Sequence, residues 1–215
     1  MKIALIGATG FVGSALLNEA LERGHHVTAL SRNPDKLAKH THLKTVPADV
    51  YNTKEVAAAV ANADVVISAF NPGWDKADIQ ALFLKGQNAI VAGVKTAGVK
   101  RFISVGGAGS LYIAPGLQLV DTAEFPAVWK EGALGAREAL NQIKLESSLD
   151  WTFVSPPVGL APGAKSGKYR LGTDDVLFEG DQPAGISTAD LAVAILDEVE
   201  SPRHIQRRFT AASQK

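Results

Sequence analysis

The chain has 215 residues, 46% of them hydrophobic, enough to bury the core of one domain, and no cysteine, which removes disulfides, thiolate nucleophiles and cysteine-held metals. Lys plus Arg equals Asp plus Glu at 22 each, so no excess of charge points to nucleic acid or an acidic membrane surface. No apolar run nears the ~18 residues of a membrane helix, and the patch before Gly7 is too short for a secretory leader, so the expected setting is the cytoplasm.

Ile3 to Ile6 is an apolar run of the kind a sheet buries on both faces, and it ends at Gly7, with Gly10 and Gly13 following at three-residue spacing. From Val12 the pattern turns helical, with Val12, Leu16 and Ala20 on one stripe and Leu17 and Leu21 beside it, closing near Gly24. Strand, glycine turn and helix in that order suit a dinucleotide diphosphate. The glycines permit a tight turn and close backbone approach, and the helix N-terminus supplies partial positive charge. The spacing alone also fits an ordinary strand-to-helix turn; its place between a strand and a helix selects the dinucleotide reading.

His25 and His26 have no Asp, Glu or third His at ligand spacing, so they read as exposed loop residues and no metal site is expected. Val27 to Ser31 is the second strand. An NAD site places an acidic residue here to bind the ribose 2′-hydroxyl, yet Val27 to Pro34 holds none. Arg32 stands there instead, and its guanidinium matches a 2′-phosphate, although a solvated turn arginine has the same sequence.

Leu43 to Val46 is a third strand leading to Asp49 and Val50, and Thr53 is expected to cap a short helix to about Ala61. Asp64 to Phe70 is a strand followed by the loop Asn71-Pro72-Gly73-Trp74, then a long helix through Ile79, Phe83, Ile90 and Ala97. Phe102 to Val105 runs into Gly106-Gly-Ala-Gly109-Ser110, and the irregular stretch from Leu111 to Phe125 is long enough to imply a binding role. Pro126 opens a helix lined by Ala136, Leu140 and Ile143. Trp151 to Ser155 is a sixth strand stopped by Pro156-Pro157, and Gly159 to Gly185 is loop-rich with strand-like pieces such as Lys168 to Leu171. Ser187 caps the last helix, and Arg208 to Ala211 reads as an edge strand.

About six alternations of strand and helix imply an α/β fold: a doubly wound parallel sheet, the Rossmann arrangement, in one domain over 1–215 with 159–185 as irregular substrate-side loops. Ligands in such sheets lie beyond the carboxyl ends of the strands. The strand ends at Gly7 to Gly13, Ser31-Arg32, Ala69 to Trp74 and Ser104 to Gly109 therefore converge on one crevice.

With these stretches in hand, the chain resembles the atypical short-chain dehydrogenase/reductase superfamily, in its NmrA-like and biliverdin-reductase-B-like group. It is most similar to bacterial NADH-flavin reductases. The resemblance rests on Lys2 to Ser14, Arg23 to Arg32, Ser104 to Leu111, Trp151 to Pro157, Gly167 to Leu171 and Arg208 to Thr210. It implies that Thr9, Gly10, Phe11 and Val12 cradle the diphosphate, Arg32 meets the 2′-phosphate, and Asp49 and Val50 flank the adenine. It further implies that Ala69, Phe70 and Asn71 line the ribose, that Ser104 lies near the nicotinamide with Gly106, and that Pro156 and Pro157 border its pocket.

The chain departs from the superfamily's usual acid–base pair, Tyr-x-x-x-Lys on the helix after that serine. Tyr51, Tyr112 and Tyr169 have no lysine four residues on, and the relevant helix offers only Trp129 and Lys130. Ordinary ketone reduction leans on that pair. Hydride transfer to a flavin does not, because the charge delocalises over the pyrimidine portion and solvent protonates it. Phe70, Trp74, Tyr112, Phe125 and Trp129 lie where an aromatic could stack on a flat acceptor or simply pack the loops. The expected function is an NADPH-dependent reductase, NAD being the alternative cofactor, with flavin as substrate rather than tightly bound group. The other reading is a non-catalytic NAD(P)-sensing regulatory protein.

Overall fold

A computed structural model describes residues 1–33 and 37–214. Its first half alternates strand and helix: β1 (Lys2–Ile6), α1 (Phe11–Glu22), β2 (His26–Ser31), β3 (Leu43–Pro47), α2 (Thr53–Val60), β4 (Val65–Ser68), α3 (Ile79–Thr96) and β5 (Arg101–Val105). The second half is less regular. It holds β6 (Tyr112–Ala114), β7 (Leu117–Gln118), α4 (Ala127–Ile143), β8 (Asp150–Val154), β9 (Gly159–Ala161) and β10 (Tyr169–Gly172). It ends with β11 (Phe178–Glu179), β12 (Gln182–Pro183), β13 (Gly185–Ser187), α5 (Thr188–Glu200) and β14 (Arg207–Ser213). Pro34, the end of the acid-free stretch after β2, lies outside the described residues.

Eight strands form one sheet in the order β10-β14-β8-β5-β4-β1-β2-β3, all parallel except β10, which runs antiparallel to β14. The chain winds outward from β1 to β3, then restarts at β4 on the other side and winds the opposite way. This is the doubly wound Rossmann sheet, and its switch point falls between β1 and β4. Alternation along each strand feeds two cores. Ile3, Leu5, Ile103 and Phe209 meet Leu16, Leu191 and Ile195 of α1 and α5. Ala4, Ile6, Val66, Phe102 and Phe153 meet Val56, Phe83, Ile90 and Leu140 of α2, α3 and α4. Burying β4 and β5 on both faces accounts for the consecutive apolar residues Val65 to Ile67 and Phe102-Ile103.

Several sequence readings change. β14 is an interior strand, between β8 and β10, because β10 folds back along it and becomes the edge. The cap of α2 is Asn52 rather than Thr53: its Oδ1 accepts the main-chain N–H of Lys54 at 3.1 Å and of Glu55 at 3.4 Å. His25 is buried at 7% exposure, bonded between the N-terminal amine at 3.2 Å and Glu200 at 2.8 Å, and His26 opens β2. The strand read over Asp64 to Phe70 is the shorter β4, since the chain turns away at Ala69.

The long stretches after β5 and β10 are tied together. The N–H of Tyr112 donates to the carbonyl of Asp174 at 2.8 Å, and its carbonyl accepts the Val176 N–H at 2.9 Å. Arg208 of β14 reinforces this from beneath, its buried guanidinium donating to the Ser110 carbonyl at 3.0 Å, the Ser110 hydroxyl at 2.9 Å and the Asp174 carboxylate through Nε at 2.9 Å. One buried cation thus fixes two loops at the carboxyl side of the sheet.

Candidate active site

Gly7 ends β1 with φ +82°, a conformation that side chains rarely adopt, and its carbonyl accepts the Gly10 N–H at 2.9 Å. A Cβ on Gly13 would lie 1.9 Å from the Gly7 carbonyl oxygen, so α1 packs against the turn only because that side chain is missing. Gly10 differs. A Cβ there would meet nothing closer than Gly7 O at 3.2 Å, and the residue is exposed, so its outer side is open. Gly10 is also the N-cap of α1, with no side-chain cap and no acidic residue in the first turn. The first N–H groups of a twelve-residue helix therefore face the crevice without a protein acceptor from a capping side chain. Such an open helix N-terminus is suited to an anionic group.

The other strand ends surround it. Thr9 and Phe11 are exposed, Val12 is half-buried against the α1 core, and Ala69 closes the far wall, its N–H donating to Ile6 O at 3.0 Å. Arg32 is exposed just beyond β2. Asp49 folds its own loop, its carboxylate accepting the Tyr51 N–H at 3.0 Å, while its main-chain N–H donates to Glu55 at 2.8 Å. Val50 packs on the α2–α3 core. Tyr51, which sequence reasoning passed over, stands close to Arg32 and Asp49. Burial, and then Asp49 and Asp78, push its hydroxyl pKa up against the opposing pull of Arg32 and Lys76. Its ring meets Phe70 edge-on at 5.8 Å with Lys85 Nζ 5.4 Å from its centroid. Only its nearness in sequence to Asp49 could have signalled it.

Phe70 turns its side chain into α3: a Cβ on Gly86 would lie 2.3 Å from its ring, and the Phe83 ring lies tilted against it with centroids 6.1 Å apart. Asn71 accepts the Gly73 N–H at 2.8 Å and shapes the loop that carries Trp74. Ser104 is 1% exposed, and its Oγ accepts from Gln87 Nε2 of α3 at 2.9 Å, so its hydroxyl is held inside the wall of the crevice. Gln87 is a second residue the sequence reading missed; its regular helical position carried no signal. Gly106 is obligatory because a Cβ would lie 2.1 Å from the Phe153 ring, and Pro156 and Pro157 are buried where β8 ends.

Beside α4 the indole of Trp74 lies over Gly132, where a Cβ would be 2.5 Å away, yet the residue is 57% exposed. Trp129, one helical turn before Gly132, is 53% exposed. Tyr112 and Phe125 are half-buried. The two tryptophans thus share one end of α4, with surface that the protein does not cover. No tyrosine stands on α4. Tyr169 lies on the opposite, α1–α5 face, donating to Asp197, and burial together with that carboxylate pushes its pKa up to about 12.

A family model described as NAD(P)H-binding matches residues 7–202. The chain is 36% identical to the uncharacterised protein YwnB of Bacillus subtilis, over all of this chain and 99% of that one. It is 48% identical, with TM-score 0.92, to the structure of a candidate epimerase from Bacteroides thetaiotaomicron, covering 100% of this chain and 97% of that one. A candidate NADH-flavin reductase from Streptococcus pneumoniae matches at 33% identity and TM-score 0.86 over 100% of both chains.

Proposed function

The chain belongs to the NAD(P)H-binding family, and we propose that it is an NADPH-dependent reductase acting on free flavin or a similar flat conjugated acceptor. The observation that carries this reading is the pair of half-exposed indoles, Trp74 and Trp129, beside a crevice whose helix supplies no tyrosine.

The residues present fit the dinucleotide. The glycine turn and the open N-terminus of α1 hold the diphosphate, with Thr9, Phe11 and Val12 around it. Arg32 pairs with the 2′-phosphate, and Asp49 and Val50 flank the adenine beside Tyr51. The main chain at Ala69, Phe70 and Asn71 lines the ribose, since the Phe70 ring is committed to α3. Gly106 and Pro156 wall the nicotinamide end. NADPH, when bound, supplies the hydride.

The protein aligns rather than protonates. Trp74, Tyr112 and Trp129 hold a planar ring system by stacking, and Arg208 fixes the loop that carries Tyr112. Ser104 acts through shape, fixed by Gln87, and not as an acid. Tyr169 and Tyr51 are both pushed toward the neutral form, the reverse of what a tyrosine proton shuttle needs. Residues 1–215 work as one domain, the loops over 159–185 forming the acceptor side.

Mixing the purified protein with NADPH and flavin mononucleotide and following the nicotinamide absorbance tests the reading. Loss of absorbance in proportion to protein concentration supports it. Tight NADPH binding with no turnover of any flavin overturns it and makes the protein a cofactor sensor.

A further inference from the structure

At the opposite end of the sheet from the glycine turn, α2 is too short to cover the strands it packs on. It spans eight residues and ends at Val60, where the chain turns through Asn62 in the left-handed region at φ +67° and enters β4. Below that point the amino-terminal ends of β1, β2 and β3 are bare, and a groove of about 320 Å³ opens there.

The parallel register decides what fills its floor. Lys2 is opposite His26, and Thr28 is opposite Lys44, which places His42 beside His26 in the adjoining row. All five side chains point to the same face as Ala4 and Leu30, the face that α2 covers higher up. The His26 and His42 rings confirm the row, with centroids 4.5 Å apart. Four groups that are or can become cationic thus line one groove, and among the described residues no Asp or Glu lines it. The neighbouring carboxylate of Asp64 is engaged by the Lys2 main-chain N–H at 2.7 Å. Neither Lys2 nor Lys44 has an ion-pair partner among the described residues.

Parallel cations without counter-charge repel one another, and the repulsion is relieved by an anion placed between them. Two imidazoles alone would suit a metal, but two ammonium groups beside them and the missing carboxylate oppose one, and among the described residues no set of three ligating side chains gathers. We propose that this groove binds a phosphate group, free or carried as the monoester of a small metabolite, at a site separate from the cofactor crevice. Lys2 and Lys44 supply charge, and the ring N–H groups of His26 and His42 supply directed donors. The volume is that of a small-molecule site.

The test follows the histidine ring resonances by NMR while inorganic phosphate, and separately glycerol 3-phosphate, is added to about 10 mM at constant ionic strength held by chloride. The ring signals of His26 and His42 should move together and saturate with a Kd of about 1 mM or tighter, while those of His204, bonded to Glu198, stay in place. Lys2→Gln with Lys44→Gln, both at exposed positions, should weaken binding about tenfold or more. Saturation by both compounds supports a monoester site, and saturation by inorganic phosphate alone supports the free ion as ligand. Still signals, or shifts unchanged in the double variant, overturn the proposal. A phosphate caught at the glycine turn leaves these rings unmoved, so the outcome is independent of the cofactor reading.

Discussion

Arg32 and the three glycines show how far single residues can be read. Arg32 takes the place of the acidic residue that an NAD site uses, and the structure leaves it exposed at the end of β2. Arg32→Ala should therefore remove most of a preference for NADPH over NADH, since a charge-assisted phosphate contact is worth ~1.5–3 kcal/mol. Titration of both cofactors by fluorescence measures it, and equal affinities before mutation would refute the assignment. The glycines are separable. Gly10→Val should abolish cofactor binding in a folded protein, because its Cβ, 3.2 Å from Gly7 O, asks only a small shift of the turn while the branched chain fills the cradle. Gly13→Ala should destabilise the fold itself by ~3 kcal/mol, as its Cβ would lie 1.9 Å from a main-chain oxygen. Thermal unfolding and cofactor titration of the two variants should thus give opposite patterns. Spacing identified all three glycines but could not rank them, because the ranking depends on what lies across the turn. Phe70 teaches the same lesson, since only α3 shows why its ring points inward.

Elements with long periodic sequences were legible, and elements set by their neighbours were not. β1, α1, β4, α3 and α4 announce themselves because each buries a continuous stripe. β14 did not announce its interior position, because that depends on β10 folding back beside it. The two-residue strands β7, β11 and β12 carry no period to read. The segment leading into β14 is tied to α5 by Glu198, which accepts from Arg101 at 2.9 Å and from His204 at 2.8 Å. Burial opposes ionisation of Glu198, but His204 and the N–H groups of Arg203 and His204 outweigh it and hold its pKa below the ordinary carboxylate value. A depressed folded-state pKa means stability that is present above the unfolded value of about 4.5 and is lost as pH falls through the folded one. Glu198→Gln should cost ~3–5 kcal/mol at neutral pH, because it strands the buried Arg101 charge, and should flatten the acid limb of stability. Denaturant unfolding at pH 7 and pH 4 checks both. At the start of α4, Trp129→Ala should raise the KM for flavin mononucleotide up to about tenfold while leaving NADPH affinity unchanged, as expected for one lost stacking contact of ~0.5–1.5 kcal/mol. An unchanged KM would remove Trp129 from the acceptor site.

For the molecule as a whole, the sheet's polarity organises everything proposed: dinucleotide and acceptor at the carboxyl end, a phosphate groove at the amino end. The carboxyl-end crevice was legible because four strand ends with distinct sequence marks converge there. The groove was not, because its basic residues are far apart in sequence and only the register of β1, β2 and β3 aligns them. In the proposed reductase, the crevice aligns hydride donor and acceptor without a proton donor of its own. Initial rates with NADPH against a panel of free flavins, quinones and aliphatic ketones test it most directly. Flavins should be reduced and simple ketones left essentially untouched, with no ionisation of a protein group shaping kcat/KM between about pH 6 and pH 9. Fast reduction of a plain ketone, governed by one ionisation in that range, would contradict the account by showing that the site contains an acid.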